Sequence, residues 1–277
     1  MIRNFLFAAA CCVPAFAVTP IASCGQTLST AGETYVLTAD VTCTAAQPIG
    51  VRVTANDVVI DLQGFTLTGN GTGSGVITAA PAGCMAVQRL EVKNGTIQGF
   101  GTPVSLCAPG AAPLPMNAKI HQLQIRNSQT GIVLGNSSGN EIRNNRFIAI
   151  NLPQAPVNPF ITYRIGTAIY LDNATENKIE NNQIMGSAAN GVALDHKSTD
   201  NEVQRNTIMR SGANGIVIFG AGTSREGSPF GASDNNLIRR NRVINSGDKD
   251  MRDENPACGS NDWIKNVFQT ANQGCIH

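Results

Sequence analysis

Two aspartates and a histidine, at matching places in a recurring phrase, are the residues of this chain best suited to chemistry. Asp172 follows the apolar run Ile169-Tyr-Leu171, Asp195 follows Val192-Ala-Leu194, and His196 comes directly after Asp195. If the two runs are neighbouring strands, the carboxylates stand about 5 Å apart. Two carboxylates that close cannot both hold a charge easily, which is how acid/base pairs are built. A separation near 5 Å suits a retaining glycosidase, a larger one an inverting enzyme. The same pair could instead hold Ca²⁺ with other oxygens nearby. His196 is one of three histidines, with His121 and His277, and imidazole is the usual proton carrier near neutral pH. Asp after a strand is also a common turn former, so a purely structural role stands beside the catalytic one. His121, in the alternating stretch Lys119–Ile125, reads as a solvent-facing strand residue, and His277 as an idle terminus.

The elements that must position these residues are repeats. Five times the chain runs Asn, any residue, a large apolar residue, two more, Asn, any residue, apolar: from Asn140, Asn177, Asn201, Asn236 and Asn261, at spacings of 37, 24, 35 and 25. Between copies stands a second phrase, glycine or alanine followed by three apolar residues, as in Gly131-Ile-Val-Leu134 and Gly191-Val-Ala-Leu194. Short Ile/Val-rich runs between turn residues read as strands, and no window carries a helical stripe. A unit of two dozen residues cannot bury an apolar face alone, but stacked coils make one continuous core. Stacking predicts one interior column of Ile142, Ile179, Val203, Ile238 and Trp263, and another of Phe147, Ile184, Ile208, Val243 and Phe268. Asn145, Asn182, Asn206, Asn241 and Asn266 are expected at the same tight turn in successive coils, adopting the left-handed backbone that Asn tolerates and donating amide to amide along the stack.

The spacings of 37 and 35 reflect insertions near 151–164 and 222–230. Per-repeat insertions usually project from one face of a solenoid and often wall a binding site. They bring Tyr163, Arg164, Arg225 and Phe230 as candidate substrate-binding residues: aromatics for sugar rings, Arg for a uronate carboxylate.

Asn-x-Ile-x-x-Asn followed by Gly-Ile-x-Leu resembles the right-handed parallel β-helix repeat of the pectate-lyase-like superfamily, and in particular its secreted bacterial right-handed β-helix repeat proteins. The opening Cys24-Gly-Gln-Thr-Leu, the stretch Val58-Val-Ile-Asp61-Leu-Gln-Gly64 and the ending Trp263-Ile-Lys-Asn266-Val-Phe fit the same group. The resemblance covers nearly all of the chain after residue 23. It implies an all-β, single-stranded right-handed parallel β-helix with disulfide-stapled caps at 24–50 and 248–277, and a polysaccharide or cell-surface glycan as partner. It does not fix an activity, since one fold hosts many. The chain lacks the Asn-Thr-Asp, Gly-Asp-Asp, Gly-His-Gly and Arg-Ile-Lys set of polygalacturonases and the Tyr-Gly-Phe-Asp-Pro-His of alginate epimerases. The aspartate/arginine pattern of pectate lyases is missing too. Three roles remain open: acting on a polysaccharide, binding one, or serving as a structural surface solenoid.

Aromatic residues make up 5% and charged residues 14%, with 28 glycines, a balance that suits a turn-dense solenoid. Residues 1–17, with Arg3, an apolar run and Ala15-Phe16-Ala17, read as a signal peptide, leaving 18–277 as one β-helix domain. The apolar run is too short to span a bilayer. Without those residues basic and acidic side chains number 19 each, which argues against nucleic acid or anionic membrane as partner. A secreted protein, periplasmic or extracellular, can keep disulfides. The remaining six cysteines fall into neighbouring pairs, Cys24–Cys43, Cys84–Cys107 and Cys258–Cys275, although six leave many connectivities open. Ile21-Ala-Ser-Cys24 also resembles a lipobox, which would make Cys24 a lipid anchor. No cysteine or histidine spacing suggests zinc.

Overall fold

A computed structural model of the chain describes residues 18–80, 83–110, 112–151, 165–223 and 229–277. The described part is a stack of coils built almost wholly of short parallel strands. Nine of them form one wall, in the order Gln26–Leu28, Val51–Val53, Ser74–Ile77, Thr102–Cys107, Ile132–Gly135, Ile169–Asp172, Val192–Asp195, Ile216–Ile218 and Met251–Asp253. A sixteen-stranded sheet supplies two further strand columns, joined because Glu91–Gln98 and Lys119–Arg126 are long enough to span both. The protein is therefore a single-stranded parallel β-helix.

Register follows the sequence pattern. Ile142, Ile179, Val203, Ile238 and Trp263 pair in turn from coil to coil and all are buried. Phe147, Ile184, Ile208 and Val243 form the second interior column, and Phe268 packs partly buried against the same core. The glycine that opens the second phrase is required by crowding. A Cβ on Gly215 would lie 2.0 Å from Val243 Cγ1, and one on Gly191 2.5 Å from the carbonyl oxygen of Gly215. No side chain fits where coils approach that closely.

The asparagines form two rows. Asn145, Asn182, Asn206 and Asn241 each donate Nδ2 to the Oδ1 of the next, ending on Asn266, at 3.0–3.1 Å. Asn140, Asn177, Asn201, Asn236 and Asn261 do the same at 2.8–3.1 Å. The left-handed residue at each turn is not the ladder asparagine, as the sequence reading has it, but the residue before it: Asn144, Asn181, Arg205, Arg240 and Lys265. That residue swings the chain around so that the following asparagine points inward and is buried, where its amide must find partners.

Both termini are stapled, by Cys24–Cys43 and Cys258–Cys275, and Cys84–Cys107 ties a hairpin to the nine-stranded wall. Among the described residues no helix is long and apolar enough to cross a membrane.

Candidate functional site

The nine-stranded wall carries the aspartates. Strands Ile169–Asp172 and Val192–Asp195 pair in parallel, with Asp172 opposite Asp195. Alternation along each strand turns Ile169, Leu171, Val192 and Leu194 into the core, and Tyr170, Ala193 and the two aspartates outward.

The position after Gly135, Asp172 and Asp195, which share one register place, is left-handed in three successive coils: Asn136 (φ 48°), Asn173 (φ 50°) and His196 (φ 47°). Asparagine accepts this conformation readily; a histidine there is uncommon. Asp195 compensates. Its Oδ1 accepts the backbone N–H of His196 at 2.8 Å, and its carbonyl accepts from Ser198 N–H at 3.1 Å and Ser198 Oγ at 2.6 Å. The imidazole thus stands in line with the amides of Asn136 and Asn173, which are themselves bonded at 2.8 Å.

From that place His196 Nδ1 reaches back one coil to Asp172 Oδ1, at 2.8 Å. Asp195 Oδ2 is 3.9 Å away. A neutral ring that gives its Nδ1–H to a carboxylate carries its lone pair on Nε2. The two aspartates are chemically unlike. The Asp172 side chain is 28% exposed and that of His196 36%, whereas that of Asp195 is 6% exposed. Asp195 Oδ2 also accepts the hydroxyl of Tyr170 at 2.6 Å.

Sequence reasoning did not single out Tyr170. It lies in an outward column with Val133, Ala193 and Val217 that is closed to solvent, with Phe219 packed against it. The available signal was its polar tip: the other three copies of the phrase place Val, Ala and Val at that position.

Of the proposed substrate-binding residues, Tyr163, Arg164 and Arg225 lie outside the described residues. Phe230 has a described backbone, paired with Gly222 in a two-stranded antiparallel ribbon, while its side chain is outside the description. This second insertion leaves the coil beside Asp195: Phe219 N–H donates to the carbonyl of Leu194 at 2.9 Å. It returns at Gly231, whose carbonyl accepts from Lys197 N–H at 3.2 Å.

His121 is not solvent-facing. It is buried on an outward-facing strand position, with Nε2 2.9 Å from Glu91 Oε1 and Nδ1 3.0 Å from Gln122 Oε1. Strand alternation alone does not count the long charged neighbours that cover such a ring; Lys93 and Arg143 pair with it in register. Arg205 pairs with Glu180. Arg210, with Ile148, Met185 and Met209, lines a separate groove of about 380 Å³ on another wall. Among the described residues no group of three or more His, Cys, Asp or Glu is arranged to hold a metal ion.

Residues 49–248 match the family model described as the right handed beta helix region. Among solved structures, the chain is similar to the periplasmic alginate epimerase AlgG, with a TM-score of 0.62 and 16% identity, over 86% of this chain and 51% of that one. It is also similar to the Dettilon tailspike protein, with a TM-score of 0.56 and 15% identity, over 91% and 51%. The chain thus spans about half the length of these structures. At such identities the likeness is one of fold. No curated protein matches the sequence.

Proposed function

The chain belongs to the right-handed β-helix family, and from that premise we propose that it is a secreted protein acting on a polysaccharide, with His196 and Asp172 as a proton-transferring dyad. The observation that carries this reading is the 2.8 Å bond between His196 Nδ1 and Asp172 across two coils, on the outer face of the wall and partly open to solvent. Asp172 fixes the tautomer and orientation of the ring, and Nε2 takes the proton.

A uronate suits such a base. Its C5–H lies next to a carboxylate and is the acidic C–H of the sugar. Transfer of that proton to Nε2 leaves an electron pair at C5. If the pair forms a C4–C5 double bond, the glycosidic oxygen leaves from C4 and takes a proton from water. If a proton returns to C5 from the other face, the sugar is epimerised with its glycosidic bonds intact. A carboxylate pair working as in a retaining glycosidase is less well supported, because Asp195 is nearly closed to solvent and already accepts Tyr170 and His196 N–H. The fold shared with an alginate epimerase supports testing uronates first. The three disulfides fit an exported chain, with residues 1–17 as its signal peptide and 18–277 as its single domain. Cys24 bonded to Cys43 favours a free protein over a lipid-anchored one. The insertion residues Tyr163, Arg164, Arg225 and Phe230 are proposed to bind the glycan.

A second reading, binding without turnover, is favoured by the polar row of Asn136, Asn173 and His196 along the axis. One experiment separates the two. The protein is incubated with pectin, polygalacturonate and alginate, with and without Ca²⁺, following reducing ends, unsaturated-uronate absorbance and the NMR signals of the sugar C5 epimers. Turnover is expected, falling at least about 100-fold in Asp172→Asn and His196→Gln. Retention of a glycan without product would select the binding reading. Full activity of either variant would end the dyad assignment.

A further inference from the structure

The imidazole of His196 has two carboxylates within reach, and the structure contains a device that chooses between them. Nδ1 lies 2.8 Å from Asp172 Oδ1 and 3.9 Å from Asp195 Oδ2. The more distant oxygen is the one that Tyr170 engages, through a hydroxyl–carboxylate bond of 2.6 Å. Bonds of that type and length, about 2.5–2.7 Å, are the short, strong class. Asp195 is held from the other side as well, since its Oδ1 accepts the N–H of His196 itself. Tyr170 cannot readily move away, because its ring is buried in the column of Val133, Ala193 and Val217.

From this geometry we infer that Tyr170 is the positioning residue of the dyad: by engaging Asp195 Oδ2 it leaves Asp172 as the carboxylate that receives the imidazole N–H. The catalytic consequence rests on the proton-transfer reading above; the structural one rests on the distances alone. Asp172 and Asp195 belong to adjacent coils, so a ring that turned from one to the other would carry Nε2 with it. A misplacement of about 1 Å at a reacting group can cost about 100-fold in rate. Tyr170 therefore acts through Asp195 and His196 without itself contacting substrate, and Asp195 serves as a clamp whose two oxygens are engaged by the Tyr170 hydroxyl and the His196 N–H.

The test is nitrogen-15 and proton NMR of the His196 ring, assigned by the signals lost in His196→Gln. Wild type is expected to show an Nδ1–H bonded to carboxylate. Asp172→Asn should abolish that signature, because Tyr170 keeps Asp195 engaged. In Tyr170→Phe, which keeps the ring and removes only the hydroxyl, Asp195 becomes available, and Asp172→Asn should no longer abolish it. Asp195→Asn alone should leave the bond to Asp172 in place, and this arm stands even if Tyr170→Phe folds poorly. The inference is overturned if Asp172→Asn has the same effect in both backgrounds, or if Asp195→Asn alone removes the signature. Where turnover is found, Tyr170→Phe should lower kcat about 10- to 100-fold with KM changed less than about twofold. Coupling by NMR without turnover on any uronate would sink the proposed function and leave the positioning role standing; turnover without coupling would do the reverse.

Discussion

An asparagine amide has two donors and two acceptor lone pairs, and Asn206 uses all four. Its Nδ2 donates to the carbonyl of Ile179 at 2.9 Å and to Asn241 Oδ1 at 3.0 Å. Its Oδ1 accepts the N–H of Asn182 at 2.9 Å and Asn182 Nδ2 at 3.0 Å. Leucine at this position would have similar bulk but break all four bonds, leaving the N–H of Asn182 without its acceptor, although Asn241 Oδ1 would keep the N–H of residue 206 and Asn182 Nδ2 the carbonyl of Ile142. A buried orphan costs about 1–3 kcal/mol and the other lost bonds add to it, so Asn206→Leu should lower stability by at least about 3 kcal/mol. Asp200 is exposed and left-handed, with φ 58°, a conformation asparagine adopts as well. Asp200→Asn should therefore leave the thermal midpoint nearly unchanged. Similar midpoints for the two variants would show that the amide row contributes little. The second row, from Asn140 to Asn261, was not foreseen as a ladder, although its residue recurs in all five copies, because recurrence does not show which way a side chain points. Tyr170 was harder to see, since in a linear reading it sits inside an apolar phrase and nothing marks its hydroxyl as lying within reach of a residue 25 positions later.

At the scale of the element, the strand Met251–Asp253 shows how a row of amides is brought to an end. Asp253 Oδ2 accepts Asn261 Nδ2 at 3.1 Å and the indole N–H of Trp263 at 2.9 Å, while Oδ1 accepts Asn255 N–H at 3.0 Å. Burial pushes this carboxyl above its ordinary value, against the pull of Trp263, Asn255 and Asn261. The folded protein thus binds a proton here more readily than the unfolded chain. This group's contribution is fully present below about pH 4, the unfolded value, and is lost as pH rises through the raised folded value. Asp253→Asn should remove that component of the denaturant stability measured from pH 3 to 7. It should also cost about 1–3 kcal/mol, because an amide cannot accept at both ends. An unchanged pH profile in the variant would contradict the assignment. Strand identity and register were readable from apolar spacing, since a column must keep like residues over one another. The turns were misread by one position because the sequence shows which residue recurs, not which peptide unit bends. The pairing of Asp172 with Asp195 was readable from their matching places in the phrase. The bond from His196 to Asp172 was not, because it depends on the backbone angle of one residue.

For the molecule as a whole, stability is a sum of coil-to-coil terms with exposed ends that need closing. The C-terminal closure combines Cys258–Cys275, 17 residues apart, with the seat of Trp263, the sole tryptophan, which is 1% exposed. Replacing both cysteines by serine should remove about 3 kcal/mol from this end. The loss should be local: Trp263 fluorescence should report exposure at a lower denaturant concentration than the loss of strand signal in circular dichroism. Coincident transitions would mean that the cap and the stack unfold as one. The paired cysteines were anticipated from their neighbouring places in the chain, a grouping that the coil geometry turns into contact.

Both amide rows run one way. Asn140 and Asn145 receive backbone N–H groups at one end, from Ala118 and Leu123, each at 3.0 Å. Every later amide passes its donor forward, until the rows are received by Asp253 and by the carbonyl of His277. The arrangement works like a coupling with a plug on one side and a socket on the other. A coil that carries both asparagines, and glycine where the coils approach closely, offers matching connections to the coil before it and the coil after it, in one orientation. A duplicated coil finds its connections already made, and the two closing ends never need to be reinvented. Length is consequently the property of this scaffold that gene duplication can vary most freely, and with it the number of outer-face positions at which a cross-coil pair such as Asp172 and His196 can arise.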